Sequence, residues 1–179
     1  MSTALLVIDV QQGLCEGADA AYDAQTIIVR INQVAARARR AGVPVIFVQH
    51  ESASGDLLYG TAAWALARGL EMNTGDIRVR KTTPDAFLNT ELETILKRFA
   101  VTELAICGMH TEFCVDTTTR RALALGYPVI LIEDAHTTAG NAVLTPRQVI
   151  EHHNATLTQI ASFGPRARTL ASADMVFGD

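Results

Sequence analysis

The sequence predicts an α/β protein: a parallel sheet with helices on both faces. Two observations carry that prediction. Short apolar runs alternate with longer amphipathic segments along the whole chain. Hydrophobic residues make up 49% of the 179 residues, and strands buried on both faces read as continuous apolar runs. This length suits one domain with a sizeable core, spanning residues 1–179.

Ala4 to Ile8 is a short apolar run ending at Asp9. Tyr22 to Ala41 has helical periodicity, with Ile27, Ile28, Ile31, Val34, Ala35 and Ala38 on one stripe. Gly42 follows it, where a left-handed C-cap belongs. Val43 to Val48 is a second strand, and Pro44 near its start removes a donor where that is tolerated. A polar loop runs from His50 to Gly60, and Thr61 is placed to cap a short helix through Ala67. Ile77 to Lys81 is a third strand. Leu88 to Phe99 is a helix with Leu92, Ile95, Leu96 and Phe99 inward. Thr102 to Cys107 and Tyr127 to Ile132 are the fourth and fifth strands, with a helix from Val115 to Leu125 between them. Pro146 opens a last long helix at a first-turn position. Arg168 to Leu170 is a short sixth strand.

Composition excludes several classes. The net charge of −4 leaves no electrostatic footprint for nucleic acid. No apolar run is long enough to span a bilayer, and the first one lacks a basic lead-in, so neither a membrane partner nor a signal peptide is expected. Three cysteines without close pairing point to a reducing, cytoplasmic location.

In an open parallel sheet the ligand crevice lies beyond the C-terminal ends of the strands. Three reactive residues fall there: Asp9 after the first strand, Lys81 after the third, and Cys114 between the fourth strand and its helix. A lone cysteine is usually an inert small hydrophobe, an aspartate can cap its own loop, and a lysine can be a solvated strand end. Their common placement favours chemistry. Only a thiolate attacks well, and a helix N-terminus with a cation favours it. Asp9 would take the thiol proton and return it to a leaving amine. Unperturbed aspartate and cysteine differ by roughly 4.6 pKa units, about 6 kcal/mol. Burial must therefore raise Asp9, and its surroundings must lower Cys114. Backbone N–H groups of Cys114 and His110 are candidate oxyanion donors. Cys107 falls inside a strand, and Cys15 in a loop near the crevice.

Leu6-Val7-Ile8-Asp9-Val10-Gln11, a Val-x-Lys strand ending at Lys81, and Gly108-x-x-Thr111-Glu112-x-Cys114-Val115 together resemble the isochorismatase-like cysteine hydrolases. The resemblance runs from about Leu5 to Ala135. It implies a three-layer, Rossmann-like six-stranded parallel sheet of order 3-2-1-4-5-6, an Asp9-Lys81-Cys114 triad, and a homo-oligomer, dimer or tetramer. It also implies a cis peptide between Met109 and His110, in the oxyanion loop. With that strand order Lys81 must reach about 10 Å back across the second strand. The family includes nicotinamidases, N-carbamoylsarcosine and ureidoacrylate amidohydrolases, streptothricin hydrolase and isochorismatases. Nicotinamidases bind a metal through an Asp-x-His pair after the second strand and a further histidine. Here that stretch is Gln49-His50-Glu51-Ser52, and His152 and His153 are side by side on a helix. No metal and no cofactor are expected.

The expected activity is hydrolysis of a C–N bond in a small amide or carbamoyl substrate through an acyl-enzyme on Cys114. Vinyl-ether cleavage and a non-catalytic oligomeric binding module of the same fold are the alternatives. A receiver domain would not need Cys114, and a haloacid-dehalogenase type would want an aspartate where Gln11 stands. Gln12, Leu14, Tyr59, Trp64, Phe87 and Phe113 are candidate pocket residues, with His110 as a possible substrate contact. Asp134 is assigned to holding its loop through Thr137 and Thr138.

Overall fold

The computed structural model describes residues 2–178. Six parallel strands form one sheet: β1 Thr3–Ile8, β2 Val45–His50, β3 Ile77–Lys81, β4 Glu103–Met109, β5 Val129–Thr137 and β6 Ala167–Leu170. Their order is β3-β2-β1-β4-β5-β6, so the strand order reverses between β1 and β4. The helices are α1 Gln12–Cys15, α2 Ala24–Arg40, α3 Leu92–Arg98, α4 Asp116–Ala124 and α5 Pro146–Gln159.

Alternation along the strands makes two cores. Leu5 and Val7 of β1 face α2, whose Ile27, Ile28, Ile31, Val34, Ala35 and Ala38 complete that layer. Ala4, Leu6 and Ile8 face the other way, onto Leu92 and Leu96 of α3, Ala122 and Leu123 of α4 and Leu157 of α5. Helices on both faces satisfy a sheet whose central strands are apolar throughout. Thr145 and Gln148 form a reciprocal capping box at the start of α5, with Pro146 at its first position. Among the described residues no helix is long and apolar enough to cross a membrane.

Several expectations need correction. Residues 61–67 form turns, not a helix. The Gln12, Gly13 and Ala67 N–H groups pair across to Ala65, Ala63 and Val10 carbonyls, so this backbone is spent on tertiary pairing. Cys15 lies on α1 and is buried, not in a loop. The helix after β3 begins only at Leu92, and Phe99 is exposed beyond its end. β2, β4 and β5 each run further toward the crevice than the apolar runs suggest, ending at His50, Met109 and Thr137. The added ends of β2 and β5 carry Gln49, His50, Glu133, Asp134, His136 and Thr137, so there hydrophobicity stops before the ladder does, while β4 adds Gly108 and the buried Met109.

Gly108 sits opposite Ile8 in the β1–β4 ladder with φ +121°. A Cβ there would lie 2.0 Å from the Ile8 carbonyl oxygen. Only glycine allows this approach, one residue before Asp9. Gly108→Ala is expected to cost more than about 2 kcal/mol, read as a drop in the urea midpoint with unchanged m-value. A midpoint equal to wild type would show that β4 moves away freely.

Candidate active site

Asp9 leaves the sheet in the left-handed region, φ +52°, a conformation aspartate tolerates better than most residues. Its N–H still bonds the Val48 carbonyl at 2.8 Å. Gln11 then takes over the edge of the ladder with its side chain. Its Oε1 accepts from His50 N at 2.8 Å, and its Nε2 donates to His50 O at 3.0 Å and to Trp64 O at 2.9 Å. Gln49 Nε2 also donates to Trp64 O, at 3.0 Å.

Lys81 does cross β2. Ile8 is in register with Val48 and Val48 with Val79, which puts Lys81 two residues further along its strand than the level of Ile8. Its side chain therefore passes over the end of β2 toward Asp9. The side chain is fully buried, and Nζ lies 2.7 Å from Asp9 Oδ2. Nζ is also 3.0 Å from Thr83 O, 3.2 Å from Cys114 Sγ and 3.2 Å from His50 Nδ1. The bland reading of Lys81 as a solvated strand end does not hold.

The third residue stands inside a helix. Thr111–Val115 is a π-helical turn that runs directly into α4, so the helix begins four residues earlier than its periodicity indicates. Thr111 is buried, and its hydroxyl pairs with His136 Nδ1 at 2.9 Å, while His136 Nε2 pairs with Asn154 Oδ1 at 2.9 Å. Full burial drops His136 to about 4, so the ring is neutral and works as a strut between the turn and α5. Nothing in the sequence pattern marked it. The peptide bond between Met109 and His110 is cis.

Electrostatics correct one expectation. The Cys114 thiol is pushed up to about 12, first by burial and then by the Asp9 charge, with Lys81 pulling the other way. The site holds a neutral thiol beside a carboxylate, not a preformed thiolate. Burial and Lys81 lower His50.

Asp9, His50 and Cys114 bring one possible ligand atom each within 4.8 Å of one another. Lys81 Nζ touches all three side chains, so an ammonium already occupies the place a bound cation would take. His50 and Glu51 are adjacent on β2 and its exit, and they part company. Glu51 indeed turns away, onto Arg80 at 2.7 Å, yet His50 joins the site through Lys81. The signal available was its place at the C-terminal end of a central strand.

A cavity of about 300 Å³ opens onto these groups, lined by Asp9, Leu14, His50, Leu57, Pro84, His110, Phe113 and Cys114. Of the candidate pocket residues, Leu14 and Phe113 line it. Gln12 instead caps Arg68 N through Oε1, Tyr59 packs edge-on against Trp64, and Phe87 stacks on Tyr127. Leu57 and Pro84 were not foreseen. A similar cavity of about 330 Å³, by Tyr22, Arg30, His136 and Arg147, is lined by neither cysteine nor lysine. Asp134 is structural through partners other than those expected: it accepts from Ser172 N at 2.6 Å and Ser172 Oγ at 2.9 Å.

Residues 3–170 match the family described as "Isochorismatase domain". A streptothricin hydrolase from Streptomyces noursei is 42% identical over 136 residues, 75% of this chain and 49% of that protein. A second one from that organism is 39% identical and covered to 54%, so the chain spans about half the length of these curated relatives. A solved isochorismatase family protein is 36% identical, with TM-score 0.86 over 95% of this chain and 98% of that one. N-carbamoylsarcosine amidase from Thermoplasma acidophilum, at 22% identity, shares the fold with TM-score 0.84 over 99% and 100% of the two chains.

Proposed function

Because the chain belongs to the isochorismatase family, we propose that it is a hydrolase that cleaves the C–N bond of a small amide or carbamoyl compound through an acyl-enzyme on Cys114. The observation that carries this is the convergence of side chains from two strand ends and the turn after β4: Lys81 Nζ touches Asp9 Oδ2 at 2.7 Å and Cys114 Sγ at 3.2 Å beside a cavity that Asp9 and Cys114 line. Relatives named streptothricin hydrolase support amide-type chemistry.

Burial and the Asp9 charge keep the Cys114 thiol protonated at neutral pH. Attack is therefore coupled to proton transfer. Asp9 takes the proton as Sγ bonds to the carbonyl carbon, and the developing oxyanion faces backbone N–H groups of Cys114 and His110. The carbonyl re-forms as the C–N bond breaks, and Asp9 returns its proton to the leaving nitrogen. Water then attacks the thioester, giving a proton to Asp9, and the acid leaves as the proton returns to sulfur. Lys81 holds Asp9 in line and offsets charge on sulfur in each thiolate-like state. A panel of small primary amides and carbamoyl compounds, assayed for released ammonia, tests this. Cleavage of a vinyl ether with no amide turned over would overturn it.

The ammonium at the centre of the Asp9-His50-Cys114 cluster supports a metal-independent reaction. Activity is expected to survive exhaustive dialysis against EDTA within about twofold, since a cation there would be repelled by Lys81 at contact distance. Loss with EDTA and recovery with zinc or manganese would assign His50 to a metal instead.

A further inference from the structure

His110 lines the cavity beside Asp9 and Cys114, and its two ring nitrogens have different surroundings. Nδ1 lies 3.4 Å from Thr138 Oγ1. The Thr138 hydroxyl has one proton, and it donates that proton to Glu112 Oε1 at 2.8 Å. Toward His110 the hydroxyl oxygen can only accept. The imidazole proton therefore sits on Nδ1, and Nε2 is bare. Gly140 N donates to the same hydroxyl oxygen at 3.3 Å, which fixes its lone pairs from the other side.

Nε2 is buried and, among the described residues, has no hydrogen-bond partner. A buried acceptor without a donor is costly, and such groups in a ligand pocket are commonly satisfied by the ligand. Burial also lowers the ring's basicity, which keeps it neutral and able to accept. The neighbouring lining side chains Leu14, Leu57, Pro84 and Phe113 offer no hydrogen-bonding atom, so polar discrimination falls to few groups.

We propose that His110 Nε2 is a specificity-determining acceptor that reads an N–H of the substrate, so that the site takes primary and secondary amides or carbamoyl compounds and rejects tertiary amides and ethers. The inference rests on the reading of Cys114 as the nucleophile. The Glu112–Thr138 pair acts as the positioning device, because it sets which nitrogen is bare.

Two thiol reagents test it without knowledge of the natural substrate. Iodoacetamide carries an amide N–H; N,N-dimethyl-2-iodoacetamide does not. Each alkylates sulfur by forming the Sγ–C bond as the C–I bond breaks, with iodide leaving and the thiol proton passing to solvent. The rate at Cys114 is followed by peptide mass spectrometry and divided by the rate of the same reagent with 2-mercaptoethanol. The wild-type protein is expected to prefer iodoacetamide by about tenfold or more. His110→Leu should bring that ratio to within about twofold of one, and Thr138→Val, which keeps the imidazole but frees its proton, should lose part of it. An equal ratio in wild type and His110→Leu, whether high from size exclusion or near one, overturns the inference alone. Failure of both reagents at Cys114 overturns the nucleophile reading and this inference with it. Independently, long-range ¹H–¹⁵N correlation of ¹⁵N-histidine protein should show His110 protonated on Nδ1, assigned by its loss in His110→Gln. A proton on Nε2 would overturn the inference.

Discussion

Cys114→Ala is expected to reduce turnover of any amide found to be a substrate by on the order of 10⁴- to 10⁶-fold, because removing the nucleophile of an interdependent set costs nearly all that the set supplies. In the wild-type protein an acid quench during turnover should trap an acyl group on Cys114 alone. Acidity does not select this sulfur: burial raises both the Cys15 and the Cys114 thiols. Neighbours select it. Cys15 Sγ sits 3.6 Å from Met109 Sδ, and its acidic neighbour Glu16 only raises it further. Cys107 is fully buried in β4, with burial holding it protonated. Cys114 has a carboxylate, an ammonium and an open cavity. A Cys114→Ala protein with near wild-type activity would end the covalent mechanism.

Asp9→Asn is expected to separate two properties that usually travel together. Turnover should fall by about 10²- to 10⁴-fold, since an amide cannot take the thiol proton. The thiol itself should become more acidic. Asp9 raises the Cys114 pKa by its charge, and the neutral amide removes that charge, so the value moves down from about 12. Alkylation at roughly pH 8 to 9 should therefore be faster in a variant that scarcely turns over. Lys81→Met should act in the opposite direction on the thiol, because Lys81 is the group that lowers it. If Asp9→Asn turns over normally, another group is the base; if its thiol titrates higher, the assigned sign of the Asp9 effect is wrong.

The sequence made the sheet and its rim legible because periodicity and strand ends are local properties. Leu5 and Val7 against Ala4, Leu6 and Ile8 divide into two cores by alternation alone. Asp9, Lys81 and Cys114 were legible for the same reason: Asp9 follows β1, Lys81 ends β3, and Cys114 lies where the chain passes from β4 into a helix. What was hidden depends on several elements at once. The direction of the Cys114 shift follows from burial where the turn after β4 meets the ends of β1 and β3. The place of His50 follows from Lys81, a residue of the next strand. Residues 61–67 lost their helix to backbone partners more than 45 positions earlier. His110 is a loop histidine by sequence, and only Thr138 and Glu112 give its ring a polarity.

The Gln11 side chain imitates a strand residue. It meets both the N–H and the carbonyl of His50, extending the β1–β2 seam past the point where the main chain turns off at Asp9. The joint that sets the base is thus closed by a side chain from one direction and by the Gly108–Ile8 contact from the other. Neither closure uses the segments that carry Leu57, Pro84 or Phe113. Of these, Leu57 lies on a loop apart from the reacting groups, whereas Pro84 follows Thr83, whose carbonyl accepts from Lys81 Nζ at 3.0 Å, and Phe113 precedes Cys114 in the same turn. The loop that carries Leu57 can therefore be exchanged, and that wall of the cavity altered, while the contacts among Asp9, Lys81 and Cys114 stay in place.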